Sequence, residues 1–120
     1  MSQCSRLLEV SPYVTKDGSE IRELLHPEHH AVRNQSLAEA RLPPGTITLL
    51  HRHHITEEIY HVTQGSGMMT LGDAVFPVSM GDSILILPGT PHRIENTGRE
   101  ALHILCCCAP VYSHADTELL

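Results

Sequence analysis

Two histidines one residue apart, a glutamate shortly after them and a third histidine far downstream are the side chains of this sequence best suited to chemistry: His51, His53, Glu58 and His92. In an extended strand, residues two apart share a face, so His51 and His53 point the same way and Arg52 points the other. The short loop over 54–57 lets the chain reverse, and the next strand then places Glu58 beside the two imidazoles. Two histidines and one carboxylate are a set that holds a divalent ion with positions left open. A fourth ligand must come from another strand. His92 begins one, directly after Pro88-Gly89-Thr90-Pro91, a rigid corner that fixes how the strand enters. Three neutral imidazoles and one carboxylate suit a single divalent transition ion: Fe, Mn, Zn, Ni or Co. With that ion the site carries a net charge of about +1, which attracts anionic or enolisable oxygen ligands. Two positions of an octahedral ion remain for water, a bidentate substrate or dioxygen. A lone strand histidine is usually structural, but this combined spacing is not explained that way.

Other residues near these four invite roles. Tyr60 and Val62 share a face with Glu58, and Tyr60 is the candidate catalytic residue, a donor to a substrate oxygen; the alternative is a barrel-filling tyrosine with its hydroxyl tied to backbone. His61 faces away from Glu58 and belongs to a surface or interface. His54, in the loop, is either a pocket-mouth group or, the preferred reading, a solvated histidine. Gln35, Glu39 and Arg41 lie on one strand face; turned inward they would orient a carboxylate substrate or act as acid and base, although a solvated sheet face is the expectation. Cys106 and Cys108 share a face with Leu102 and Ile104, where thiols behave as small hydrophobes. No nucleophile elbow and no phosphate-cradling glycine loop is present.

The elements that must position these groups read as short strands. Apolar runs alternate with turn residues throughout, an all-β pattern. Strands are expected over 19–24, 35–42, 46–53, 58–64, 68–71, 74–78, 83–87, 92–96 and 101–108, with Gly65-Ser66-Gly67 closing one of them. Gly72-Asp73 reads as a tight hairpin turn, and Pro77 assigns its strand to an edge or a bulge. The tail from Pro110 is expected to cross the surface or form a partial helix. An antiparallel barrel or jelly roll suits so many short strands, because it covers their edges.

Composition narrows the classes. A chain of 120 residues fits one domain. The formal charge of −6, with few and scattered Lys and Arg, argues against nucleic acid. No apolar stretch is long enough to cross a membrane as a helix, and the start, MSQCSRLLEV, lacks the apolar core of a signal peptide; a cytoplasmic protein is expected. Three consecutive cysteines, Cys106 to Cys108, are poorly placed to bridge one another, which fits reduced thiols.

The segment Gly45-x5-His51-x-His53-x4-Glu58-x6-Gly65 resembles the first motif of the cupin family from its first glycine to its last. The segment from Gly81-Asp82 through Pro88-Gly89-Thr90-Pro91-His92 to Asn96 resembles the second, with Leu87 standing where that motif usually has proline. Together they cover the middle half of the chain. The resemblance implies His51, His53, Glu58 and His92 as ligands; Glu57 is the competing carboxylate, and the spacing to Gly65 and the parity with Tyr60 favour Glu58. It implies a cupin-type double-stranded β-helix, or jelly-roll barrel, with a core over about 35–108 between an N-terminal strand arm and a C-terminal tail. Asn96 matches the second motif and is expected to support its turn. The tail is similar to that of small single-domain bacterial cupins. More loosely, the chain resembles the single domain of oxalate decarboxylase-like, germin-like and mannose-6-phosphate isomerase-like cupins, and a homodimer is implied.

The function expected from this set is a metal-dependent enzyme acting on a small organic acid, sugar or enol-type compound by dioxygenase, decarboxylase or isomerase chemistry. A non-catalytic small-molecule binding or sensing module with a metal-shaped pocket is the alternative.

Overall fold

Alternation of buried and exposed side chains runs through the strands of the computed structural model, which describes residues 3–120. Along Leu102–Ala109 the side chains of Leu102, Ile104, Cys106 and Cys108 turn inward, and along Glu57–Gln64 those of Glu58, Tyr60 and Val62 do so. A period of two with one apolar face is what a half-buried antiparallel sheet requires.

A short 3-10 helix, Leu7–Glu9, precedes eleven strands. In chain order they are β1 (Tyr13–Val14), β2 (Glu20–Leu25), β3 (Ser36–Leu42), β4 (His51–His53), β5 (Glu57–Gln64), β6 (Ser66–Leu71), β7 (Ala74–Ser79), β8 (Ser83–Ile86), β9 (His92–Asn96), β10 (Leu102–Ala109) and β11 (Thr117–Leu119). They form a six-stranded sheet, β1-β2-β3-β10-β5-β8, and a five-stranded sheet, β11-β4-β9-β6-β7, with antiparallel pairing throughout. The expected all-β jelly-roll architecture is what the chain adopts. Pro77 sits in β7, an edge strand, as its missing N–H demands.

The inner faces share a core of Ile21, Leu42, Val62, Met69, Ile84, Ile86, Ile94, Leu102 and Ile104, among others. Each such fully buried aliphatic side chain contributes about 1.5–3 kcal/mol of transfer free energy. Two glycines let the layers close. Gly65 takes φ +87°, and a Cβ there would meet the carbonyl oxygen of Ala101 at 2.9 Å. Gly67 lies inside β6, where a Cβ would collide with the Glu95 carbonyl oxygen of β9.

The structure departs from the sequence-based expectations in four places. The expected strand over 46–53 keeps only His51–His53 in a ladder, with an isolated bridge between Ile47 and Glu95. Leu49 N–H donates to the carbonyl of Asp17 (2.8 Å) in the β1–β2 turn, so the ladder is interrupted there. Ser66 and Gly67, expected to close a strand, belong to β6. The strand β1 was not anticipated; it pairs with β2 through Tyr13 opposite Ile21. Finally, the tail, expected to cross the surface or form a partial helix, holds a strand: β11 pairs with β4, Thr117 opposite His53. No helix among the described residues is long and apolar enough to cross a membrane.

Candidate metal centre

Register explains why the histidines meet. His51 of β4 stands directly opposite His92 of β9, so their side chains project from neighbouring positions on one face of the five-stranded sheet. His53, two residues along β4, shares that face. Glu58 reaches the same point from β5 of the opposing sheet. The rings of His51 and His92 lie 4.1 Å apart between centroids, those of His51 and His53 5.3 Å, and those of His53 and His92 5.4 Å. One nitrogen of each imidazole falls within 4.8 Å of those of the other two. All four residues are buried.

The outer ring nitrogens are tied down. His51 Nδ1 donates to Leu49 O (2.8 Å), and His92 Nδ1 donates to Thr90 O (2.9 Å). His53 Nδ1 donates to Thr117 Oγ1 (3.0 Å), whose own hydroxyl donates to the carbonyl of Ser113 (2.9 Å). A carbonyl only accepts, so the proton of each neutral ring sits on Nδ1 and the Nε2 lone pair points inward. There the lone pairs meet Glu58 Oε1, at 3.1 Å from His53 Nε2 and 3.6 Å from His92 Nε2. His92 Nε2 is buried without a hydrogen-bond partner. Converging acceptor atoms in a dry site are costly unless a cation lies between them, so this donor set fits a metal ion. The three histidines are positioned to bind one.

Electrostatics agree. Burial would raise the Glu58 carboxyl, but contacts from His53 and His92, acting as donating, charged rings, outweigh it and bring it down to about 2; a cation between the same groups would hold Glu58 as a carboxylate in their stead. Burial, helped by neighbouring His92, lowers His51, which favours the neutral ring that a metal needs.

The remaining sequence candidates fall as follows. Tyr60 lines the cavity, its ring edge-on to His92 at 5.9 Å. Burial, with Glu58 nearby, pushes its phenol well above the ordinary range, so it is a donor and not a base. Cys108 stands opposite Glu58 in the β10–β5 register and donates its S–H to Glu58 Oε2 (3.3 Å). Burial pushes Cys106 and Cys108 upward, so both remain thiols. Asn96 supports its turn: Nδ2 donates to Leu42 O and Glu100 O, both at 2.9 Å, and Oδ1 accepts from Gly98 N–H. Glu39 and Arg41 alternate with the inward Ala38, Ala40 and Leu42 and so face away from the site. Glu39 is buried all the same, with His103 Nδ1 at 3.4 Å. Gln35 is exposed. His54 is half-exposed and lies 3.5 Å from Glu118, and His61 bonds Ser83 on the outer face; neither lines the cavity.

Sequence reasoning missed the contributions of the chain ends. Asp17, from the β1–β2 turn, brings Oδ2 to 3.5 Å from His51 Nε2. Thr117 and Tyr112 of the tail also line the cavity. The sequence signal for Asp17 is only Thr15-Lys16-Asp17-Gly18-Ser19, a turn signature; nothing local places that turn at the barrel mouth. Apart from Glu23 and the thiols of Cys106 and Cys108, the rest of the lining is apolar or hydroxyl-bearing, with Ile21, Ala38, Ala40, Leu42, Ile94 and Ile104 on its walls, and it includes no Lys or Arg among the described residues.

Comparison with known proteins agrees with this fold. Residues 38–108 match the family model described as the cupin domain. An uncharacterized protein of Methanocaldococcus jannaschii is 56% identical over 112 residues, 93% of this chain and 90% of its own length. An oxalate-binding protein of Thermotoga maritima is 34% identical over 86 residues, 72% of this chain and 71% of its own. Among solved structures, a predicted oxalate decarboxylase from Thermotoga maritima superposes with a TM-score of 0.78 at 29% identity, covering 88% of this chain and 97% of that one. The nucleoside dehydratase Pac13 superposes with a TM-score of 0.79 at 14% identity, covering 100% and 92%; at that identity the likeness concerns the fold.

Proposed function

The chain belongs to the cupin family, and from that premise we propose that it is a metal-dependent enzyme acting on a small oxygen-bearing, enol-type substrate. His51, His53, Glu58 and His92 hold one divalent transition ion. The observation that carries the reading is the convergence of one nitrogen from each of the three histidines to within 4.8 Å of one another, with Glu58 Oε1 beside those of His53 and His92 and with His92 Nε2 buried and unpartnered. When bound, such an ion polarises substrate oxygens or supports oxygen chemistry.

The chain's own residues supply the rest. Leu49 O, Thr117 Oγ1 and Thr90 O orient the three rings. Tyr60, held protonated by burial, donates to a substrate oxygen. The aliphatic walls exclude water and receive an apolar substrate body. Without Lys or Arg in the lining, a second carboxylate or a phosphate on the substrate has no counter-charge. That favours an enol-type compound over a phosphorylated sugar or a long dicarboxylate.

A second reading, a non-catalytic binding cupin, is favoured by the 34% identity to the oxalate-binding protein. The test combines metal analysis with a turnover screen of diketones, catechols and dicarboxylates. The expected result is one ion per chain, lost when His51 and His53 are both replaced by Ala, and turnover of a diketone or catechol. Full metal retention in that double variant refutes the site. Saturable binding of oxalate with no turnover across the screen selects the second reading.

A further inference from the structure

We propose that Asp17 is a fifth protein ligand of the ion, supplied by the N-terminal turn and not by the barrel motifs. The inference rests on the metal site proposed above and adds a residue outside the family-matched segment 38–108.

The other two oxygens of Asp17 are committed. Its Oδ1 accepts three hydrogen bonds, from Thr15 Oγ1 (2.6 Å), Ser19 N–H (2.9 Å) and Ser19 Oγ (2.6 Å). Its carbonyl accepts Leu49 N–H at 2.8 Å. The carboxylate is therefore clamped in one orientation, 12% exposed, with Oδ2 directed at His51 Nε2, 3.5 Å away. That nitrogen is the inward one, because the Nδ1 of the same ring donates to Leu49 O.

A hydrogen-bonded ion pair does not account for the contact. Charge-assisted N–H···O bonds run about 2.7–2.9 Å, well short of the observed separation. Adjacent ligands about 2.1 Å from an octahedral ion lie about 3 Å apart. The Asp17–His51 contact at 3.5 Å, like those of Glu58 with His53 (3.1 Å) and His92 (3.6 Å), suits neighbours around one ion. Two carboxylates and three neutral imidazoles bring a divalent site to a net charge of about zero. One coordination position then remains. A substrate that binds through a single oxygen enters there directly, and a chelating one, such as a diketone or catechol, must displace Asp17.

Counting the waters bound to Mn(II) tests this. Proton relaxation of the solvent around the Mn(II)-loaded wild type should report one exchangeable water, and Asp17→Asn should report two. The substituted side chain keeps an oxygen for the donors of Thr15 and Ser19 but presents an amide to the ion. The variant's affinity for Mn(II) should fall about tenfold or more. Two waters on the wild type overturn the proposal without any variant, as does an Asp17→Asn protein with unchanged affinity and water count. A wild type that binds neither Mn(II) nor Co(II) stoichiometrically, or a His92→Ala variant that retains the ion, overturns the underlying site and this inference with it.

Discussion

Replacing His92 with Leu should leave the protein at least as stable as wild type in chelator and make it less stable than wild type when the ion is present. His92 is 0% exposed and its Nε2 has no hydrogen-bond partner among the protein's own groups. A buried polar atom left unsatisfied costs about 1–3 kcal/mol. Leucine removes that atom and fills a similar volume. It forfeits the hydrogen bond from Nδ1 to Thr90 O, worth about 1 kcal/mol; Thr90 is only half-buried, so water can replace the donor. The balance is a variant that matches wild type or exceeds it by up to about 2 kcal/mol when no ion is present. With free Co(II) at about a hundred times its dissociation constant, wild type gains about 2.7 kcal/mol. The variant lacks a ligand and gains little. Urea unfolding followed by far-ultraviolet circular dichroism, in chelator and in Co(II), measures both differences. A variant about 3 kcal/mol less stable than wild type in chelator, or a wild-type midpoint that ignores Co(II), would refute this.

Three further outcomes are expected. Asp116 accepts the N–H groups of Ile55 and Thr56, both at 3.0 Å; although burial opposes it, those bonds hold its carboxyl below the usual range. Its stabilising contribution is therefore present above the ordinary carboxylate range and lost as pH falls through the lower folded value, so the gap between wild type and Asp116→Asn in urea midpoint should narrow on acidification; a constant gap contradicts this. Iodoacetamide on the native protein should modify exposed Cys107 and spare buried Cys106 and Cys108 until urea is added, which fragment mass spectrometry resolves; early labelling of Cys108 would show that its tie to Glu58 does not persist. Gly67→Ala should destabilise by about 1–3 kcal/mol, because its Cβ meets the Glu95 carbonyl and Leu102 Cδ2; thermal melts check it, and a neutral or stabilising effect would mean that β6 and β9 part easily.

What could be read from the sequence was the part governed by local parity. His51 and His53 share a face because strands alternate, and Glu58, Tyr60 and Val62 do so for the same reason. The Pro88-to-Pro91 corner set the start of β9 at His92. These rules do not say which strands become neighbours. The pairing of β4 with β11, which gives His53 its Thr117 partner, joins residues far apart in sequence. So does the approach of Asp17 to His51. The expected strand over 46–53 was shortened for the same reason: Thr48 and Leu49 give their N–H groups to Ile94 and Asp17, partners that no local pattern names. Glu39 shows the limit on burial as well. Alternation turned it outward correctly, yet it is covered and faces His103 across the outer surface of the sheet.

The division between core and chain ends bears on what the site can select. The barrel motifs bring four donor atoms together, and that arrangement lies almost wholly within the family-matched segment. Leu49 links it to the rest of the chain: its carbonyl orients His51 while its N–H grips the Asp17 turn. Thr117 does the same from the other terminus, accepting from His53 and donating to Ser113. Two of the three imidazoles are thus aimed, directly or through Leu49, by residues outside the barrel core. A change in the β1–β2 turn or in the tail would alter the aim of the histidines and the charge beside them without touching a motif residue. Exchanging residues 13–20 or 110–120 between relatives should therefore move metal affinity while leaving His51, His53, Glu58 and His92 in place.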